Sequence, residues 1–161
     1  MLGSTSLRWY SPDVANLIEH KKARLDYEAL EELEAGLELL GIEVKSLRSK
    51  RGKLDGAHII VRGGEAFIVG MDIPPYQAGN TPKDYDSART RKLLLTTKEL
   101  NELASAERQK GLTIVPISVY NKGNKLKVRI AIARGKKKYD KREDLKKKAV
   151  KRDIDRLMKE R

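Results

Sequence analysis

The C-terminal segment from Arg134 to Arg161 limits what this chain can fold into more than any other feature. Its 28 residues hold 14 of the 35 Lys and Arg residues of the chain but only six of the 23 Asp and Glu residues. Seven apolar side chains are too few for such a segment to bury a core alone. The folded unit must therefore come from the residues before it, and the segment itself is typical of a basic arm that binds a polyanion.

Net charge narrows the class of partner. The chain has 161 residues, a formal net charge of +12 and a pI near 9.8, which favours a nucleic acid over an anionic membrane surface. The absence of cysteine excludes disulfides, thiolate metal sites and a cysteine nucleophile. No apolar run approaches the length of a membrane span, and the N-terminal stretch lacks a secretory apolar core. We therefore expect a cytoplasmic protein with no membrane partner.

The first half of the chain contains one ambiguous segment. Residues 1–20 show no periodicity and are interpreted as a flexible leader. In residues 25–40, LDYEALEELEAGLELL, the composition favours a helix, whereas apolar and polar residues alternate from residue 32 to 39 as in a half-buried strand. The alternation and Gly36 favour the strand, with the helix as the alternative. After Gly41 a short helix is predicted, with Gly52 closing it.

The middle of the chain carries clearer signals. Residues 58–62 and 65–69 are predicted to form a hairpin, because the Gly63-Gly64 pair supplies the positive φ angles of a two-residue turn. Residues 73–88 are rich in Pro, Gly, Asn and Asp and predict a long loop. A short strand follows at residues 91–95. A capping box between Thr96 and Glu99 then begins a helix that Gly111 stops.

Two further strands are predicted at residues 113–120 and 125–134, with a turn around residues 122–124. In the second strand four apolar residues point to one side, and three basic residues form a wet face on the other. The apolar set is Leu126, Val128, Ile130 and Ile132, and the basic set is Lys125, Lys127 and Arg129. The predicted fold class is therefore mostly β (α+β), a small antiparallel OB-like barrel with two or three short helices and a basic C-terminal tail.

Catalytic motifs do not stand out in the sequence. There is no phosphate-loop glycine motif, no Ser-His-Asp arrangement and no metal-ligand spacing, so we expect neither an enzyme nor a cofactor or metal. Two basic clusters are either solvated charges or contacts to backbone phosphates. They contain Lys45 and Arg48 in the first, and Arg89, Arg91 and Lys92 in the second.

The basic tail divides in two. RGKKKYDKRED, residues 134–144, is a charge run with one aromatic, Tyr139, which could stack on a base while its neighbours hold phosphates. The alternative is a disordered, solubilising tail. After it, apolar residues recur at helical spacing from Leu145 to Met158 and predict a helix with a narrow apolar stripe, marginal in isolation.

Five segments in chain order together resemble one family, small protein B, the SsrA-binding protein of bacterial trans-translation. They are KKARLDYEALEELEAGLELLGIEVKSLR (21–48), GEAFIVGMDIPPY (64–76), RTRKLLL (89–95), KGLTIVPISVY (110–120) and KVRIAIARGKKKYDKRED (127–144). They cover most of the chain after residue 20. A small basic ribosomal protein and a nucleic-acid-processing enzyme are the alternatives to this family.

The resemblance implies a function. Family members bind the tRNA-like domain of transfer-messenger RNA with an OB-like barrel. Together with the elongation factor that delivers aminoacyl-tRNA, they enter ribosomes stalled on broken messages. The tail is expected to be disordered when free and helical in the empty mRNA channel. On this basis we expect a monomer with a leader at residues 1–20, an RNA-binding barrel at 21–134 and a tail at 135–161.

The resemblance also implies roles for individual residues. Positions that match contacts to the tRNA-like domain are Lys21, Glu34, Leu94, Arg134, Lys136 and Lys137. Positions that match the part facing the decoding centre are Tyr139, Asp140, Lys141 and Arg142. Apolar positions of the channel helix are Ile154, Leu157 and Met158. One departure is His20, which stands where the family often has Asn.

Overall fold

A computed structural model describes residues 16–136 and 138–159 of the chain. Within these ranges there are seven strands and four α-helices. The strands are β1 (Asn16–Glu19), β2 (Tyr27–Leu37), β3 (His58–Arg62), β4 (Glu65–Val69), β5 (Arg91–Leu94), β6 (Leu112–Lys122) and β7 (Lys125–Gly135). The helices are α1 (Ala23–Asp26), α2 (Gly41–Arg48), α3 (Thr97–Arg108) and α4 (Lys138–Lys159), and a 3-10 turn spans Ala78–Asn80. None of the described helices combines the length and apolarity that crossing a membrane requires.

All seven strands form one antiparallel sheet in the order β1-β6-β7-β2-β5-β4-β3. The three longest strands, β6, β7 and β2, lie side by side near its centre. The mostly β (α+β) class is confirmed. The sheet curls so that β3 approaches β6, but no strand ladder between them closes the barrel within the described residues.

The ambiguous segment is a strand. Residues 27–37 pair with β7 along most of their length, and Gly36 and Leu37 also pair with β5. The predicted strand is therefore confirmed and the helical alternative is wrong. The physical reason is that Leu33, Ala35 and Leu37 all face the core. A helix would keep Leu33 and Leu37 on one face but turn Ala35 to the opposite side.

One large core holds the sheet and helices together. β7 contributes the predicted apolar set, Leu126, Val128, Ile130 and Ile132. Helix α3 adds Leu103 and Ala106. Its capping box is confirmed, since the Glu99 N–H donates to Thr96 Oγ1 at 3.2 Å and the Thr96 N–H donates to Glu99 Oε1 at 3.0 Å. A smaller apolar cluster on the other side of the sheet contains Ala29, Val115, Ile117, Ala131 and Ala133.

The predicted hairpin is also confirmed. His58 lies opposite Val69 and Arg62 opposite Glu65, so that Gly63 and Gly64 alone form the turn, with φ angles of 60° and 75°. Both angles lie in the left-handed region that favours glycine.

Two predicted boundaries are wrong. Helix α2 ends at Arg48 and the chain turns at Lys50, whose φ is 61°, so Gly52 does not close the helix. The predicted leader also extends too far, because Asn16–Glu19 forms β1 and pairs with β6. Ile18 of this strand belongs to the core, which ties the segment to the fold. Residues 1–15 lie outside the described residues.

The tail begins later than the sequence predicted and becomes helical sooner. β7 continues to Gly135, opposite Tyr27, and the Lys136 N–H donates to the Asp26 carbonyl at 2.8 Å. Helix α4 then begins at Lys138 and not at Leu145. That the tail is disordered in the free protein stays a prediction.

Candidate nucleic-acid interface

Strand alternation places a set of polar and basic residues on one side of the sheet, opposite the large core. Tyr120 lies opposite Lys127, Lys127 opposite Gly36, and Gly36 opposite Leu94, so these four residues form a row across β6, β7, β2 and β5. We call this side of the four strands the outer face. Its residues are Tyr120, Lys122, Lys125, Lys127, Arg129, Glu34, Gly36, Lys92 and Leu94.

The row has an open, partly apolar floor. Gly36 adds no side chain, and a Cβ at this position would lie 3.2 Å from the Cβ of Leu94. Leu94 is 53% exposed, unusual for a leucine in a sheet. A cavity of about 250 Å³ opens beside the pair, and its lining includes Arg48, Lys125 and Lys127. An apolar side chain surrounded by cations suits a nucleic acid, which presents both base faces and phosphates.

Helix α2 brings two of the predicted cations to the same region. The Arg48 guanidinium donates from Nη2 to the carbonyl of Asn124 at 3.1 Å, in the turn between β6 and β7. Lys45 lies three residues earlier on the helix and is also exposed. Arg48 therefore borders the cavity of the outer face, and Lys45 lies about one turn away on the same helix.

Glu34 is a carboxylate among these cations. Its side chain, 35% exposed, accepts a hydrogen bond from the Tyr120 hydroxyl and one from Lys122 Nζ at 2.9 Å. Burial raises its pKa, but these two donors outweigh burial and hold the pKa below its usual range. An ionised carboxylate only accepts hydrogen bonds, so Glu34 suits a base amino or imino group or a ribose hydroxyl and not a phosphate.

Arg91 is not available to RNA. Its side chain is 0% exposed, and its Nε donates to Glu43 Oε2 at 2.7 Å. The predicted phosphate contact is therefore wrong for this residue. The reason is strand alternation, since Arg91 lies on the same side of β5 as the core residue Leu93.

The two neighbouring cations of the second cluster remain at the surface. Arg89 also binds Glu43, at 2.5 Å from Nη2, but its side chain stays 31% exposed. Lys92 faces the outer side, where it pairs with Glu65 at 3.0 Å, and this partner raises the pKa of Lys92. Of this cluster, Lys92 lies closest to Leu94 in the strand.

A second group of predicted residues lies elsewhere. A strand rises about 3.3 Å per residue, so Arg134 is more than about 20 Å along β7 from Lys127. Arg134 is exposed, whereas Lys136 pairs with Asp144 of α4. Lys21 is exposed next to His20, which is buried with its Nδ1 3.0 Å from the Pro116 carbonyl.

The tail helix meets the body at its first turns. Lys141 Nζ lies 3.2 Å from Asp26 Oδ1 at the end of α1, and Arg142 is exposed. Further along, an apolar stripe without a partner in the described residues contains Ile154, Leu157 and Met158. Lys137 lies outside the described residues, as do the side chains of Tyr139 and Asp140.

Several residues of the outer face were not predicted as site residues. They are Tyr120, Lys122, Gly36, Lys127 and Arg129. The sequence pattern does place Lys127 and Arg129 on a wet face. Only the strand order reveals that this face continues into Glu34 and Leu94.

The chain as a whole is similar to known proteins. Residues 17–160 match the family described as SmpB protein. The SsrA-binding protein of Clostridium kluyveri is 48% identical over 145 residues, covering 90% of this chain and 92% of that protein. The SsrA-binding protein of Staphylococcus epidermidis is 46% identical over 151 residues, covering 94% and 96%. A chain from the solved structure "tmRNA-SmpB: a journey to the center of the bacterial ribosome" has a TM-score of 0.64 and 40% identity, covering 80% and 93%.

Proposed function

This chain belongs to the SmpB protein family, and on that premise we propose that it binds the tRNA-like domain of transfer-messenger RNA and delivers it to stalled ribosomes. The observation that carries the proposal is the row Tyr120, Lys127, Gly36 and Leu94 across four strands. Around this row, the outer face combines an apolar floor, the Glu34 carboxylate and a set of cations on one continuous surface. The function is binding, without a catalytic step.

Different residues of the outer face determine the affinity for RNA and the choice of RNA. The cations of the four strands and of α2 neutralise phosphates, and so they set the affinity and its salt dependence. They are Lys92, Lys125, Lys127 and Arg129 in the strands and Lys45 and Arg48 in α2. Glu34 and Leu94 contact an unpaired base or a ribose, because neither side chain attracts a phosphate. Arg89 adds its partly exposed guanidinium at the border.

The far end of β7 and the tail make further contacts, to RNA and to the ribosome. The contact with the tRNA-like domain is extended by Lys21, Arg134, Lys136 and Lys137. The residues that face the decoding centre are Tyr139, Asp140, Lys141 and Arg142. Ile154, Leu157 and Met158 form an apolar stripe that is exposed on α4 and pack against the wall of the empty mRNA channel. Since these are ribosomal events, the protein acts in the cytoplasm, as a monomer delivered with the elongation factor that carries aminoacyl-tRNA.

Identification of the bound RNA tests the proposal. The full chain, affinity-tagged, is purified from a bacterial lysate through a 0.5 M salt wash, and the retained RNA is sequenced. We expect transfer-messenger RNA to dominate. Retention of ribosomal RNA alone would favour a constitutive ribosomal protein and overturn the proposal.

Salt dependence tests the phosphate contacts. Lys127→Gln is expected to weaken binding of the tRNA-like domain about three- to tenfold and to lower the slope of log K against log salt by about one. The matched control is Lys98→Gln on α3, which packs against the core side of the sheet. Equal slopes for Lys127→Gln and the unaltered protein would remove this contact from the interface.

The open floor predicts the effect of one methyl group. Gly36→Ala places a Cβ 3.2 Å from the Cβ of Leu94 and must displace it, so we expect about a fivefold loss of affinity in a filter-binding assay. Gly41→Ala is the control, because a Cβ there meets no atom within 4 Å. If both variants bind alike, the Gly36–Leu94 floor does not contact RNA.

A further inference from the structure

Tyr120 is the buried tyrosine of the outer face. The residue is 1% exposed, yet its hydroxyl reaches Glu34 on β2, with β7 lying between their two strands. Neighbouring strands lie about 4.8 Å apart, so the side chains together span about 10 Å across β7. The contact links two strands that share no backbone ladder.

The tyrosine ring is itself held in place. The Arg129 guanidinium lies over it, 5.4 Å from the ring centroid. Arg129 is also the residue opposite Glu34 on β7. The ring therefore engages the cation that lies directly opposite Glu34 on the neighbouring strand.

Glu34 has competing partners on this face. Lys122 already binds its Oε1, and Lys127 and Arg129 lie on the strand beside it. A glutamate side chain is flexible, and without a fixed donor its carboxylate could pair with any of these three cations. The Tyr120 hydroxyl donates to Glu34 Oε2, and Lys122 donates to Glu34 Oε1. Because both oxygens are held, the remaining lone pairs of the Glu34 carboxylate keep one orientation toward solvent.

We propose that Tyr120 is a positioning residue for RNA selection, which fixes the Glu34 carboxylate so that it accepts hydrogen bonds from a base or ribose. The proposal rests on the proposed function, because it concerns the same surface. Tyr120 itself touches no RNA, since its side chain is buried under the face. Pre-ordering one acceptor before binding lowers the entropy cost of the complex.

Removal of one hydroxyl tests this role. Tyr120→Phe keeps the ring under Arg129 and removes the hydroxyl, which donates to Glu34 and accepts from Arg129. With the full chain and a transcript of the tRNA-like domain, we expect about a five- to tenfold loss of affinity. The slope of log K against log salt should stay unchanged, because no phosphate contact is lost.

A double-mutant cycle separates positioning from general stability. In a Glu34→Gln background, Tyr120→Phe should cause no further loss of affinity, because the oriented carboxylate is already absent. An equal loss in both backgrounds would overturn the proposal, as would unchanged binding by Tyr120→Phe alone. The proposal is also overturned if a lower melting temperature of Tyr120→Phe shows that unfolding of the variant accounts for its whole loss of affinity.

Failure of the positioning role and failure of the proposed function give different binding results. If the unaltered chain does not bind the tRNA-like domain, the proposed function fails. If the unaltered chain binds and Tyr120→Phe binds equally well, only the positioning role fails.

Discussion

A chain that ends at Lys136 is expected to fold and to bind the tRNA-like domain, but to add no tag to peptides on stalled ribosomes. β7 pairs through Gly135, and the Lys136 N–H closes on the Asp26 carbonyl, so this cut leaves the sheet complete. An earlier cut, after Ile132, would remove the buried Ala133 from β7 and damage the fold. Peptide tagging in a reconstituted translation system, alongside a binding assay, measures both properties.

The size of each effect follows from what the cut removes. The cut deletes 12 basic and six acidic residues, which lowers the net charge from +12 to +6. Affinity for the tRNA-like domain should fall by no more than about threefold at moderate salt, because the outer face remains. Tagging should be lost entirely, since no residue is left to occupy the decoding centre or the channel.

A substitution variant separates the apolar stripe from tail length. Replacing Ile154, Leu157 and Met158 by Gln keeps the length and charge of α4 but removes the exposed apolar side chains near its C-terminal end. We expect most of the tagging activity to be lost, with binding of the tRNA-like domain unchanged. Full tagging by either variant would refute the division between an RNA-binding sheet and a ribosome-facing tail.

Glu43→Gln is expected to destabilise the fold by about 3–5 kcal/mol, because it breaks a fully buried ion pair. The Glu43 carboxylate is fully buried and accepts hydrogen bonds from Arg89, Arg91 and the Leu40 N–H at 2.8 Å. Loss of its charge leaves the buried Arg91 without an ionised partner. Denaturant unfolding of the full chain measures the free energy of unfolding.

The contacts of this group also tie distant segments together. Glu43 lies on α2, whereas Arg91 lies on β5 and donates further to the carbonyls of Met71 and Ser87 at 2.7 and 2.8 Å. The long loop between β4 and β5 is therefore anchored to the helix that carries Arg48. We expect the Glu43→Gln variant to lose RNA affinity only as far as it unfolds.

The pH dependence has a definite sign. Burial raises the pKa of Glu43, but Arg89, the Leu40 N–H and Arg91 together hold it below its usual range. A folded-state pKa below the unfolded value stabilises the fold above the unfolded value, about 4.3, and this contribution is lost as pH falls through the folded pKa. The melting temperature should therefore fall more steeply below about pH 4.5 in the unaltered protein than in Glu43→Gln.

A surface ion pair provides the matched control. Arg62 and Glu107 also lie 2.5 Å apart, but the Arg62 side chain is well exposed to solvent. Glu107→Gln should change the free energy of unfolding by about 1 kcal/mol or less, because water replaces the lost interaction. Equal destabilisation by Glu107→Gln and Glu43→Gln would contradict the argument from burial.

Arg91 illustrates where reasoning from local sequence fails. Its neighbours Arg89 and Lys92 made it part of a predicted phosphate-binding cluster, although strand alternation places it beside Leu93, facing inward. The residue that makes this burial possible, Glu43, is 48 positions away and lies in a helix. A charge can be buried only where an opposite charge meets it, and no local pattern reveals such a partner.

The outer face is a second feature that the local sequence predicted only in part. The alternation in β7 predicted that Lys127 and Arg129 face solvent, which the pairing of β6, β7 and β2 confirms. It could not predict that Gly36 and Leu94 would continue the same row. Strand order and register depend on which residues bury together across the whole sheet, and a single strand carries only its own alternation.

The sequence by itself determined the class of the fold, the hairpin at Gly63-Gly64 and the capped helix after Thr96. These properties follow from side-chain periodicity, turn chemistry and charge, which act over a few residues. Only the tertiary structure decided that Arg91 belongs to a buried ion-pair network and that Tyr120 meets Glu34 across β7. Both outcomes depend on contacts between residues far apart in the chain, which exist only once the sheet has assembled.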